Sequence, residues 1–497
     1  MSLQTEHTVL LDDLLKGASV LGRSGPEHSE IHGITCDSRL VRPGWLYVAV
    51  RGHSQDGNQY VEEAVRRGAS AVVSEARPMV PRTVAAVHVA SARLALARAA
   101  LIFFGRPADS LRMIGVTGTN GKTTVAFMCS AILQAAGEHP GLIGTVRYEI
   151  GERVIPASRT TPDAAEIQQM LAEMVRKGCR SAVMEVSSHA LDQDRVFGLE
   201  FDAAVFTNLS QDHLDYHGDF ENYFRAKKKL FDALPEGRKR GVAVVNTSCP
   251  WGLRLSGEIG RRGPMITFGR EDADVRAERI LSDRAGSAFH LISPWGHRDM
   301  RIRLSGGFNV GNALAAVAAC GALGIDLDIM QKALENFESA PGRLERIESS
   351  RDFSVIVDYA HTPAALENVL ATLRELTGGR LITVFGCGGN RDRAKRPLMG
   401  AAVTASADHA LITSDNPRME DPLSIIREIE AGCAKGRYEV EPDRRKAIEK
   451  ALAMAQPGDI VLIAGKGHET FQEVGKTMLP FDDRQVAREI LGEERAA

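Results

Sequence analysis

The sequence has no apolar run approaching the roughly 20 residues that a membrane-spanning helix needs. It has no basic, apolar leader either. The opening MSLQTEHTVLLDDLLKG is acidic and does not read as a signal peptide. No CxxC pair occurs among the seven cysteines (Cys36, Cys129, Cys179, Cys249, Cys320, Cys387 and Cys433), so they read as reduced thiols of a cytoplasmic protein. A net charge of −3 over 497 residues offers no broad basic surface, so neither nucleic acid nor membrane insertion is expected. There is no internal repeat and no low-complexity tract.

What is present is ordinary for a globular chain, with 44% hydrophobic and 25% charged residues, and the length favours about three domains. Residues 1–105 mix short strands (GWLYVAV, ASAVVSE) with helical VEEAVRRG, as a small α/β domain would. Gly105, Arg106 and Pro107 punctuate the first boundary. Across 106–342, the apolar runs RMIGVTG, SAVMEVSS, AAVFTNLS and RGVAVVN alternate with helical patterns, predicting a doubly wound, mostly parallel sheet. NALAAVAACGALG is the helix expected to close that unit, and SAPGRLERIE marks the second boundary. Residues 343–497 carry FSVIVDYA, RLITVFG, DHALITS and DIVLIAG, a Rossmann-like pattern whose ligands belong at the strand C-termini.

The strongest local motif is Gly118-Thr119-Asn120-Gly121-Lys122-Thr123-Thr124, between the strand RMIGVT and an apolar helix. Strand, glycine loop and helix N-terminus form a phosphate cradle, in which Lys122 faces the terminal phosphates and the Thr123 hydroxyl reaches Mg²⁺. Val116 stands where the general pattern has its first glycine. A phosphate loop alone leaves kinase, GTPase, transport motor and ligase open. Glu185, ending SAVME, and His213 are candidates for holding magnesium, although Glu185 alone is equally an ordinary strand-end carboxylate. His213 and His217 are spaced i, i+4, but no third zinc ligand follows.

After Gly218, the residues Phe220, Tyr223, Phe224, Leu230 and Phe231 fall on one helical face together with Lys227. Lys228 and Lys229 point away from it. A buried lysine tends to lose its charge, and a neutral amine can take up CO₂ as a carbamate that binds magnesium; a stem snorkelling outward is the simpler alternative. Thr160 and Thr161 could, on local pattern alone, simply cap the helix after Pro162, a role compatible with a binding one.

GTNGKTT, MEVSSHALDQDR, NLSQDHLDYHGD, YFRAKKKLF and GGFNVGNALAA, in this order, resemble the Mur ligase family over nearly the whole chain. The resemblance implies an ATP-dependent ligase of peptidoglycan precursor synthesis that activates a carboxylate as an acyl phosphate for attack by an amine. It implies that Lys227 is carboxylated and that Thr123, Glu185, His213 and the modified Lys227 contact magnesium. It also places Asn309 and Asn312 on the adenine side, with Arg343 and Asp358 as further ATP contacts. Cys36, Ser38, His53, Ser54 and Gln55 resemble the UDP-sugar segment of the members that add the third peptide residue, where the family more often has Gln and Ala at positions 54 and 55. Arg159, where Asn is common, with Thr160, Thr161, Ser187, Gln193 and Arg195, is implied to grip the muramoyl dipeptide.

The amine site is implied to lie in three loops after C-terminal strands, at Arg391, at Asp415-Asn416-Pro417-Arg418 and at Gly465 with Glu469. Arg418 taken alone is as well explained by a surface arginine in an Asn-Pro turn. The D-N-P-R form resembles the members specific for meso-diaminopimelate, whose extra carboxylate suits a guanidinium fork. Lysine-adding relatives lack that arginine. The substrates so implied are UDP-N-acetylmuramoyl-L-alanyl-D-glutamate, meso-diaminopimelate and ATP, acted on by a monomer. Folylpolyglutamate synthetase, which lacks the first domain, and a non-enzymatic ATP switch are the rivals.

Overall fold

A computed structural model describes residues 8–52, 55–234, 239–260 and 262–492. Three α/β layers follow one another along the chain. The first is a five-stranded sheet in the order Val20–Ser24, Ala85–Val89, Ala69–Ser74, Trp45–Ala49, Gly33–Thr35, parallel except at its first strand.

The central sheet has eight strands. Six are parallel, in the order Gly141–Ile143, Ser181–Glu185, Arg112–Thr117, Ala203–Phe206, Val242–Asn246, Met265–Phe268. The antiparallel strands Arg147–Ile150 and Arg153–Pro156 extend one edge. Parallel strands covered on both faces are apolar throughout, and Ser181–Glu185 is buried at every position. Successive residues serve opposite faces. Ile114, Val116 and Val183 pack with the helices Lys122–Ala135 and Gly307–Ala322, whereas Met113, Ala182 and Met184 pack with Ala164–Arg176 and Phe220–Asp232.

Two sequence expectations need correction, and one sheet goes beyond them. The helix expected from Asn312 begins at Gly307, because Gly306, at φ 96°, takes up the turn outside it. The cap of Ala164–Arg176 is Asp163, in a capping box with Glu166, which frees Thr160 and Thr161 from that task. A separate antiparallel sheet, Arg276–Asp283, Gly286–Ser293 and Gly296–Ile302, was not foreseen.

The last layer runs Glu345–Ile347, Ser354–Asp358, Ile460–Ala464, Leu381–Phe385, His409–Ile412, Tyr438–Val440, parallel after its first strand. Behind it, Arg444 and Asp483 are both fully buried and joined at 2.6 Å. Arg444 also donates to the carbonyls of Ser414 and Ala464, the ends of two strands that carry site loops. Removing one partner of a buried pair leaves an uncompensated charge, so Asp483→Ala is expected to cost about 3 kcal/mol of stability. Denaturant unfolding checks this, and a loss below about 1 kcal/mol would mean that water relieves Arg444.

Among the described residues no helix is long and apolar enough to cross a membrane. The seven cysteines are free thiols.

Candidate active site

The C-terminal strand ends of the central and last layers face each other across a cavity of about 600 Å³. Ligands of open α/β sheets gather at such ends. Thr119 through Thr124 line it from one side, and Asn309, Asn312, Arg343 and Asp358 line it further along.

The glycine loop is pinned to the neighbouring strand. The amides of Thr119 and Asn120 donate to the backbone and side-chain oxygens of Asn208, both at 2.9 Å. Thr207 Oγ1 donates to the Asn120 carbonyl at 2.6 Å. With those two amides occupied, the anion-facing donors are the first-turn amides of the helix Lys122–Ala135, which have no intrahelical partner. Gly121 has φ 84°, and a Cβ there would lie 2.5 Å from Oδ1 of Asn312 on the helix Gly307–Ala322, so glycine suits both the turn and its close approach to that helix. Lys122 Nζ folds back on the carbonyls of Gly118 and Thr119 at 3.0 and 2.9 Å.

Beside the loop lies a set of hard oxygen donors. Thr123 Oγ1 donates to Glu185 Oε2 at 3.0 Å, and Thr145 donates to the same carboxylate through its amide and hydroxyl. Arg343 Nη2 reaches Thr123 Oγ1 at 3.0 Å, joining the last layer to the loop. A hydroxyl and a carboxylate next to a phosphate cradle match magnesium chemistry. His213 lines the cavity in a left-handed conformation, its ring 4.8 Å from that of His189. Among the described residues no three His, Cys, Asp or Glu side chains converge to hold an ion on their own. The expected ligand set contains two of that kind, Glu185 and His213.

Lys227 is 1% exposed. Tyr223, Phe224, Leu230 and Phe231 are buried with it, while Phe220 sits at the rim. Its Nζ donates to the Gly118 carbonyl at 2.9 Å and lies 4.5 Å over the Tyr223 ring. Burial, then the nearby charge of Lys122, push its pKa well below the usual lysine range.

Opposite the loop, Arg391, Asp415, Asn416, Arg418, Gly465 and Glu469 all line the cavity. Pro417 does not, being buried behind them. Glu469 accepts from Lys466 Nζ at 2.9 Å and from Asn416 Nδ2 at 2.8 Å. Burial and the Asp415 charge raise its pKa above the ordinary range.

The residues expected to hold the dipeptide are spread out, and among the described ones only Thr160 lines this cavity. Thr161 Oγ1 donates to the Glu185 carbonyl at 2.8 Å and accepts from the Ser187 amide at 3.0 Å. Arg195 donates to the Thr161 carbonyl at 2.7 Å and to Gln193 Oε1 at 2.7 Å. Ser38 spends its hydroxyl on Glu63 at 2.8 Å. Cys36 meets Asp163 of the central layer, and burial, then that carboxylate, push its thiol well up. Arg159 and Gln55 are exposed; His53 and Ser54 lie outside the described residues.

Sequence reasoning missed Thr145, Asp212 and Lys395. Lys395 is 6% exposed and lines the cavity. Burial alone would raise the Asp212 carboxyl, but the charges of His213, Lys395 and His361 hold it below its ordinary range.

A phosphate cradle and a cationic loop cluster sharing one cavity accord with the comparisons. Residues 30–114 match the model "Mur ligase family, catalytic domain", 116–320 the "Mur ligase middle domain" and 342–467 the "Mur ligase, glutamate ligase domain". The chain is 46% identical over 470 residues to UDP-N-acetylmuramoyl-L-alanyl-D-glutamate–2,6-diaminopimelate ligase of Geobacillus kaustophilus (strain HTA426), covering 93% of this chain and 95% of that one. It is 44% identical to the protein of the same name from Geobacter metallireducens (strain ATCC 53774 / DSM 7210 / GS-15), covering 96% and 97%. A solved structure, also titled as that ligase, superposes with a TM-score of 0.63 at 34% identity, covering 93% of this chain and 95% of that one. With three family domains in succession and such identity along almost its full length, the chain belongs to the Mur ligase family.

Proposed function

We propose that this chain uses ATP to couple meso-diaminopimelate to the D-glutamate γ-carboxylate of UDP-N-acetylmuramoyl-L-alanyl-D-glutamate, in peptidoglycan synthesis. The observation that carries this reading is the single cavity shared by the 118–124 loop and the arginine-bearing loops at 391 and 418. The γ-carboxylate attacks the γ-phosphorus of ATP, giving ADP and an acyl phosphate. The substrate amine then attacks the acyl carbon and phosphate leaves.

Lys122 and the helix N-terminus hold the phosphates, with Arg343 from the last layer beside them, and Asp358 is a further ATP contact. Asn309 and Asn312 stand on the base side. Thr123, Glu185, His213 and a carboxylated Lys227 are the residues that would hold magnesium, which when bound draws charge from the phosphate oxygens. Residues 1–105 take the UDP-sugar through Cys36, Ser38 and the 53–55 segment. Arg159, Thr160, Thr161, Ser187, Gln193 and Arg195 orient the dipeptide at the junction with 106–342. Residues 343–497 present the amine, with Arg418 and Arg391 on its distal carboxylate and Glu469 on an ammonium, backed by Asp415, Asn416 and Gly465. Such precursor chemistry belongs in the cytoplasm.

Phosphate release with meso-diaminopimelate, lysine or ornithine, with and without the UDP-dipeptide, tests the reading. Turnover should require the dipeptide and meso-diaminopimelate together; equal rates with lysine would overturn the amine assignment. Arg418→Ala should then raise the KM for meso-diaminopimelate about 10- to 100-fold, the loss of about 1.5–3 kcal/mol from a charge-assisted contact. The KM for ATP should stay within about threefold; equal rises in both would count against direct recognition.

A further inference from the structure

The hairpin of Phe471–Val474 and Thr477–Pro480 has no part in the reaction outlined above. It packs directly on the loop that carries Arg418. The Arg418 amide donates to the Glu473 carbonyl at 2.9 Å, and the Gly475 amide donates to the Arg418 carbonyl at 2.7 Å. Arg418 thereby pairs with Val474 as a one-residue parallel bridge. The Glu473 amide donates to Asn416 Oδ1 at 3.0 Å, and Gln472 Nε2 donates to the Asp415 carbonyl at 2.7 Å. These bonds hold Arg418 at φ 52°, a conformation that a non-glycine residue keeps only when its surroundings fix it.

The side chain is held as closely. Arg418 Nε donates to Glu473 Oε2 at 2.8 Å, and Nη1 donates to the Gly389 carbonyl at 2.8 Å. Among the described residues Nη2 has no hydrogen-bond partner, and Arg418 lines the cavity. A solvent-exposed ion pair contributes little to stability. This pair is only 20% and 33% exposed, and both partners are fixed by their own backbones. Its effect is on direction: a guanidinium recognises a carboxylate when its donors are already aimed.

We propose that this hairpin is a specificity element for the amine substrate, and that Glu473 is the positioning residue which turns Arg418 Nη2 towards that substrate's distal carboxylate. This rests on the assignment of Arg418 to meso-diaminopimelate made above. Glu473 touches no reacting atom, so its loss should act on amine binding and leave the phosphate chemistry alone.

Steady-state kinetics of the full chain test it, with wild type, Glu473→Ala and Glu473→Gln compared on meso-diaminopimelate, lysine and ATP. Glu473→Ala should raise the KM for meso-diaminopimelate about tenfold or more, with kcat and the KM for ATP within about twofold. Glu473→Gln keeps an acceptor for Nε and should return that KM to within about threefold of wild type. An unchanged KM in Glu473→Ala would overturn the proposal. So would equal losses in kcat and both KM values, or a Glu473→Gln variant as impaired as Glu473→Ala. Wild-type protein that turned over lysine as fast as meso-diaminopimelate would instead sink the amine assignment beneath it, a result visible before any variant is made.

Discussion

Lys122→Ala should lower substrate-dependent phosphate release about 10³-fold, the scale of removing a preorganised electrostatic donor from a reacting centre. The ammonium rests on two carbonyls of its own loop, those of Gly118 and Thr119. These are neutral acceptors that the anionic oxygens of a triphosphate can outcompete. Burial lowers the pKa of Lys122, so the site favours whatever brings negative charge to it. The helix N-terminus stays in place in the variant, and nucleotide should still bind, more weakly. Loss of turnover with an unchanged melting temperature is the expected pair of observations. Turnover near that of wild type would remove the 118–124 loop from the reaction.

That loop was legible because its parts are contiguous: strand, glycine turn and helix occupy residues 112–135 without interruption. The Lys227 face was legible for a similar reason, since helical spacing alone puts it among Tyr223, Phe224 and Leu230. Contacts that close over long separations were not. Thr145 meets Glu185 from 40 residues away, and Glu473 meets Arg418 from 55. Neither pairing leaves a mark in local sequence, and nothing in the local sequence singles out Lys395, which the fold buries beside Arg396.

The antiparallel sheet at 276–302 escaped for a different reason. Its first strand, RAERILSD, is half-buried at two positions and exposed at the other six, so it lacks the apolar alternation that identifies a strand. The capping alternative for the threonines before Pro162 fails because residues able to cap a helix stand side by side there. Asp163, one residue later, makes both halves of the capping box with Glu166, and Thr161 is left to join Glu185 and Ser187.

Lys227→Ala should lower turnover about 100-fold or more, the scale of losing an electrostatic contributor at the reacting centre. The argument begins with what surrounds the amine. Among the described residues its one hydrogen bond is to the Gly118 carbonyl, and a tyrosine face covers another side. Among the described residues no carboxylate hydrogen-bonds to it, and the nearby Asp212 charge does not offset burial and Lys122, so the buried ammonium is costly. The depressed pKa means that the neutral amine prevails above that pKa and the ammonium returns as the pH falls through it. A neutral buried amine is the form that takes up CO₂. The resulting carbamate, hydrogen-bonded next to the phosphate loop, would be the anion that this group lacks. Two readouts separate this role from packing alone. A small carboxylate such as formate should restore part of the lost rate in Lys227→Ala, by occupying the vacated volume with the missing charge. Wild-type protein under ¹³C-labelled CO₂ should show a carbamate signal that the variant lacks, fading as the pH is lowered. An unaffected rate in Lys227→Ala would exclude the carbamate from the reaction, leaving the lysine as a buried prop for Gly118.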